Sequence, residues 1–125
     1  MKSAISSPDG PAPVGPYSPA LRAGPLLFVS GQIPIDPATG RLVDGDIAAL
    51  TVLALENIGA LLRAAGLTYA DVVRTTVFLA DLNDFQAMNQ AYGRFFSPPY
   101  PARSTVQAAR LPLDARVEID AIAVF

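Results

Sequence analysis

Eight of the chain's twelve prolines fall within its first 37 residues, and that density rules out a helix there. Proline removes a backbone donor and clashes with the preceding helical turn, so this part reads as turns and short strands. Ser18 to Leu21, the turn Arg22-Ala23-Gly24-Pro25, and Leu26 to Ser30 form a hairpin pattern. The second strand runs into Ser30-Gly31-Gln32-Ile33-Pro34, where Gly31 marks either a bulge or a close approach to the backbone. Lys2 lies in an N-terminal stretch that reads as mobile. Tyr17 stands between Pro16 and Pro19 as an aromatic that composition alone would leave at a rim.

Past the prolines the period changes. Asp44-Gly45-Asp46 caps a helix over Ile47 to Ala65, with Gly66 just beyond its end. Ile47, Leu50, Ala54, Ile58, Leu61 and Ala65 form its core stripe, while Val52 and Leu53 are too apolar for a wholly solvated flank. Asp71 to Ala80 alternates as a strand with two largely apolar faces, the pattern of a strand covered on both sides. Asn83 and Gln86 open a second helix that the aromatic stripe Phe85, Tyr92, Phe95, Phe96 carries to about Phe96. Asn89 falls inside that stripe, and an amide placed there needs a hydrogen-bond partner, backbone or ligand. Ser104 to Ala109 and Arg116 to Val124 complete the strands. The order β-β-α-β-α-β-β, without repeat or linker, makes residues 1–125 a single α+β domain with both helices on one sheet face.

Composition narrows the chemistry. No cysteine and no histidine are present, which removes thiolate nucleophiles, Ser-His triads and the usual zinc ligands. Lys2 is the only lysine, so a buried Schiff-base lysine is excluded, and no metal site is expected. A net charge of -2 with scattered basic residues marks no nucleic-acid surface. The most apolar stretch, Ile47 to Ala65, is interrupted by Glu56, Asn57 and Arg63, so neither a membrane span nor a secretory signal is read, and a cytoplasmic protein is expected. A hydrophobic content of 51% in so short a chain points to an oligomer interface.

Any catalysis is left to carboxylates, hydroxyls, arginine, amides and backbone groups, and two of these stand out by their setting. Arg103 leaves the proline-stiffened corner Tyr100-Pro101-Ala102, either to grip a planar anion or to pair with Glu118 or Asp120 for structure. Glu118 shares a strand face with Asp120, Ile122 and Val124, so its carboxylate is either paired or raised in pKa.

Gly15-Pro16-Tyr17-Ser18, Val29-Ser30-Gly31-Gln32-Ile33-Pro34, Arg74-Thr75-Thr76-Val77-Phe78, Asp81-Leu82-Asn83-Asp84-Phe85, Pro101-Ala102-Arg103-Ser104 and Val117-Glu118-Ile119-Asp120-Ala121-Ile122-Ala123-Val124 together resemble the RidA (YjgF/YER057c/UK114) family over nearly the whole chain. The resemblance implies a chorismate-mutase-like mixed sheet, a homotrimer with ligand clefts between subunits, and cofactor-independent hydrolysis of 2-aminoacrylate or 2-iminobutyrate to the 2-keto acid and ammonia. It implies Arg103 as the carboxylate grip, Glu118 as the group that positions or activates water, and Tyr17 as a cleft wall. Ser30, Gly31, Asn89 and Thr105 are implied to lie near the substrate, Thr105 where some members carry cysteine. The same resemblance admits a non-catalytic small-molecule-binding or chaperone-like trimer, or a deaminase of another enamine such as 2-aminomuconate. Leu50, Val52 and Leu53 depart from the glutamine and arginine that many relatives carry on the first helix, a difference that bears on surface contacts.

Overall fold

The computed structural model describes residues 1–125. Six strands form one sheet in the order β1 (Lys2–Ile5), β2 (Ala20–Ala23), β3 (Leu26–Gln32), β8 (Val117–Val124), β6 (Val72–Leu79) and β7 (Ala102–Gln107). Only the β6–β7 pair is parallel, so the sheet is mixed. A two-strand ribbon, β4 (Ile35–Asp36) with β5 (Arg41–Leu42), stands apart from it. The Asp36 side chain accepts from Ala38 N at 2.8 Å within the intervening turn, and Gly40 closes that turn at φ +71°.

Helix α1 (Ile47–Ala64) begins where the Asp46 carboxylate accepts from Ala49 N at 2.8 Å. It ends in a Schellman arrangement: Gly66, at φ +77°, donates to Arg63 O, and Leu67 donates to Leu62 O. Ile47, Leu50, Ala54, Ile58 and Leu61 are buried, and Leu55 and Leu62 are fully enclosed beside them. α1 is long and apolar enough to cross a bilayer, yet most of it is buried inside this domain as the core helix. Val52 and Leu53 are half-buried.

Helix α2 (Phe85–Tyr92) is shorter than the aromatic stripe predicts. Past Gly93 the chain continues in tight turns, with Arg94 N on Ala91 O and Phe95 N on Tyr92 O, a three-residue spacing that no longer propagates the α-helix. Phe95 and Phe96 reach the core from those turns, edge-on to Tyr69 at 5.2 and 5.9 Å. The cap also differs: Asp81, not Asn83, accepts from Asn83 N at the head of the 3-10 turn Leu82–Asp84 that leads into α2.

Both helices cover the face made by Leu27, Val29, Val77, Leu79, Val117, Ile119, Ala121 and Ala123, and with them form one core. The other face carries only a small second cluster, Ile33, Leu111 and Ala115, on which Phe78 packs. Phe28, Val73 and Val106 are exposed there and Ile122 is half-buried, so β6 is covered on its second side only around Phe78, short of the full cover expected. Lys2–Ile5 also departs from expectation, since it pairs antiparallel with Ala20–Ala23 as the edge strand.

Asn57 is the buried amide that the sequence reading passed over. It is 2% exposed and donates from Nδ2 to Ile35 O at 2.9 Å and, more weakly, to Ile33 O at 3.4 Å. It therefore ties α1 to the segment leaving β3. Replacing Asn57 with leucine strands these carbonyls and should destabilise the fold by about 1–3 kcal/mol in urea unfolding. An unchanged midpoint would show that the segment is held by other means.

Candidate functional site

A short walk along β3 explains the first half of the site. Val29 opposes Ala121 and Gln32 opposes Ile119, so Ser30 and Gly31 together face the single residue Asp120. That two-against-one count is a β-bulge. Gly31 also meets the second reading of its role. A Cβ built on it would stand 2.7 Å from Glu118 Oε2 and 2.8 Å from the carboxyl carbon. The bulge thus gives the Glu118 carboxylate a seat against bare backbone.

Ser30 is fixed by donating its hydroxyl to Ser18 O at 2.7 Å, which draws the proline-rich segment over the strand end. Tyr17, Ser30, Gly31 and Glu118 line one cavity of about 540 Å³, with Pro13, Val14 and Leu113 among its apolar walls. Tyr17 is 48% exposed, and its hydroxyl accepts from Val14 N at 3.4 Å. Glu118 has no ion-pair or hydrogen-bond partner of its own. Burial pushes its carboxyl above the usual range, and the neighbouring Asp120 charge adds to the effect.

The second half lies elsewhere. Arg103 pairs in register with Thr75, and Thr75 with Ala121, both on the helix-covered face. Glu118 pairs with Phe78 on the open face. Successive residues of a strand alternate sides, so Arg103 and Glu118 project to opposite faces of one sheet. The Arg103 guanidinium sits 4.7 Å over the Tyr92 ring and 5.6 Å from that of Phe85. It makes no ion pair; the only two in the chain join Arg110 to Asp114 and Arg116 to Asp84. Asp120 instead accepts from Thr76 N at 3.1 Å. The structural ion pair with Glu118 or Asp120 is therefore absent.

Thr105 shares the Arg103 side of β7, two residues on. Asn89 lies on the same face of α2 as Phe85 and Tyr92, at helical spacings of four and three. It is half-exposed and makes no side-chain hydrogen bond within the chain, so of the two partners expected for it, backbone or ligand, the backbone one is absent. The site residues thus divide into two groups: Tyr17, Ser30, Gly31 and Glu118 at the bulge, and Asn89, Arg103 and Thr105 beside α2. Phe85 and Tyr92 of the aromatic stripe flank the guanidinium. No cluster of carboxylates able to hold a metal ion is present.

The family model described as Endoribonuclease L-PSP matches residues 7–125. The chain belongs to the RidA/YjgF family. This RidA-family chain is 51% identical over 123 residues to a RutC family protein of Pyrococcus horikoshii, covering 98% of each. It is 46% identical over 124 residues to the 2-iminobutanoate/2-iminopropanoate deaminase of Bos taurus, covering 99% of this chain and 90% of the cattle protein. Among solved structures, E. coli TdcF with bound serine matches with a TM-score of 0.92 at 44% identity, covering 98% of both chains. The α+β fold with two helices on a mixed sheet is the fold of these relatives.

Glu118 gives this half-site a stability signature. A raised folded-state pKa means that the folded chain binds the proton more tightly than the unfolded chain. The stabilisation is complete below the unfolded pKa and is lost as pH rises through the folded one. Glu118→Gln should therefore raise the melting temperature at pH 8 and leave it little changed at pH 4. A loss at pH 8 would mean that the carboxylate is paired.

Proposed function

We propose that this protein is a cytoplasmic, homotrimeric 2-iminoacid deaminase, hydrolysing 2-iminopropanoate (the imine form of 2-aminoacrylate) and 2-iminobutyrate to the 2-keto acid and ammonia. The observation that carries this reading is the pair of chemically complementary half-sites. One offers an unpaired guanidinium on an aromatic bed, the other an unpaired, partly desolvated carboxylate at the wall of a cavity. A small imino acid needs both, one for its carboxylate and one for the water that attacks its imine carbon.

Opposite sheet faces set the geometry of that pairing. Within one chain the two groups do not share a cavity, so the second half must come from another copy. The largely uncovered part of that face, with Phe28, Val106 and Ile122, supports association, since exposed apolar patches mark interaction surfaces. In the resulting cleft, Arg103 of one subunit would face Tyr17, Gly31 and Glu118 of a second. Cattle deaminase identity of 46% supports the same chemistry.

The reaction needs little more. Arg103 holds the substrate carboxylate bidentately and fixes the imine carbon. Glu118, as carboxylate, takes a proton from water while the oxygen adds to the protonated C=N, giving a tetrahedral carbinolamine. The proton then passes to nitrogen, the C–N bond breaks, and ammonia leaves as ammonium while the carbonyl forms. Water is consumed, no electrons change hands, and neither a thiolate nor a lysine is called for. The name endoribonuclease in the family description finds less support here, since a chain of net charge -2 without histidine offers neither a phosphate-binding surface nor an imidazole.

A coupled assay tests the reading. A serine or threonine dehydratase generates the imine and semicarbazide competes for it, so deaminase activity lowers the semicarbazone yield. Arg103→Ala should abolish the effect, and Glu118→Gln should reduce kcat by about a hundredfold or more. The acid limb of kcat/KM should lie above the ordinary glutamate value of about 4.3, because activity falls as pH drops through the raised Glu118 pKa. An unchanged yield with the intact protein would sink the proposal. Gly31→Ala separates site from scaffold. The added methyl displaces the flexible carboxylate, so activity should fall by about tenfold or more while stability changes by less than about 1 kcal/mol.

A further inference from the structure

Beneath the Arg103 guanidinium lies a ring that is itself clamped. The Tyr92 hydroxyl and Thr75 Oγ1 are 2.7 Å apart in a hydrogen bond, and Thr75 is fully buried and Tyr92 6% exposed. The Tyr92 ring also packs on Phe96 with centroids 4.6 Å apart. Thr75 is, in addition, the register partner of Arg103 across β6 and β7. One strand pair therefore fixes both ends of a small assembly: Thr75 sets the ring, and the ring lies under the arginine of the adjacent strand. Burial holds the phenol above its ordinary pKa, against the opposing effects of Thr75 and Arg103, so it meets the guanidinium as a neutral π face.

An arginine with no acceptor in its own chain would otherwise sample many rotamers, and order lost to those rotamers must be recovered when a ligand binds. A flat ring restricts the planar guanidinium to orientations parallel to itself and leaves the N–H edges open. We propose that Tyr92, held by Thr75, is a positioning residue for carboxylate recognition. It keeps the guanidinium flat so that its N–H edge meets the carboxylate of a small 2-imino or 2-keto acid. This inference rests on Arg103 being the carboxylate anchor of the proposed function.

The probe is 2-oxobutanoate, titrated calorimetrically into the full-length protein, with the coupled deaminase assay in parallel. Tyr92→Leu should weaken binding by about tenfold and raise KM more than it lowers kcat, and Tyr92→Phe should restore most of the loss. In an Arg103→Lys background, where no planar cation remains to be oriented, Tyr92→Leu should have little further effect. Should Tyr92→Leu not fold, the paired Thr75→Val/Tyr92→Phe change removes both hydrogen-bonding partners while keeping the ring. It should still weaken binding by about threefold. The same loss from Tyr92→Leu in both backgrounds, or wild-type affinity in the folded variants, would overturn the inference. Binding that is absent or independent of Arg103 would overturn it as well. Arg103-dependent binding without ammonia release would defeat the deaminase reading alone, and the titrations would still decide the role of Tyr92.

Discussion

Period-two alternation along two strands governs the chemistry available to this chain. Arg103 on β7 and Glu118 on β8 each obey it, and the register through β6 carries them to opposite faces. A one-residue slip of β8 would put both groups on one side, but it would also drive Val117, Ile119 and Ala121 out of the core, where each is buried. The core therefore locks the separation. Under the proposed function that separation becomes a rule for assembly, because a cleft holding both groups would require two copies of the sheet.

Each half-site is supported by groups that serve the fold as well. The bulge at Ser30 and Gly31 removes a side chain where the Glu118 carboxylate must sit, and Ser30 anchors the proline-rich segment that walls the cavity. On the other face, Arg103 lies over an aromatic ring tied to the core by Thr75. Neither charged group is neutralised inside its own chain. That is unusual for partly buried ionisable residues, which ordinarily find a partner unless a ligand or another subunit supplies one.

Much of the scaffold was legible in the sequence because its signals are local. Asp46 and Gly66 bound α1 in the structure as their cap chemistry predicts, and the alternation of β8 is a strict inside-outside pattern. The misreadings share a cause in contacts distant along the chain. Lys2–Ile5 has no strand composition of its own and is a strand because β2 offers an edge to pair with. The aromatic stripe past Tyr92 persists because Phe95 and Phe96 pack on Tyr69, although the helix has already ended. Asn57 looked like an interruption of an apolar helix, and only the carbonyls of Ile33 and Ile35 give it a purpose. For the site, sequence marked Arg103 and Glu118 as the groups to watch but left open whether they pair within one chain. Their opposite projection depends on pairing through β6, which no single strand's pattern contains.

The central claim is that Arg103 and Glu118 act from different subunits, and subunit mixing tests it most directly. Arg103→Ala and Glu118→Gln chains, each inactive alone, would be unfolded together at equal concentration and reassembled. A cleft shared between neighbours regains one intact site in every mixed trimer. Random assembly should then restore about one quarter of wild-type imine hydrolysis, since three quarters of the trimers are mixed and each has one complete site in three. Recovery near that level is the result this account predicts. A fully reassembled mixture that stays inactive, while a wild-type sample taken through the same cycle recovers, would contradict it.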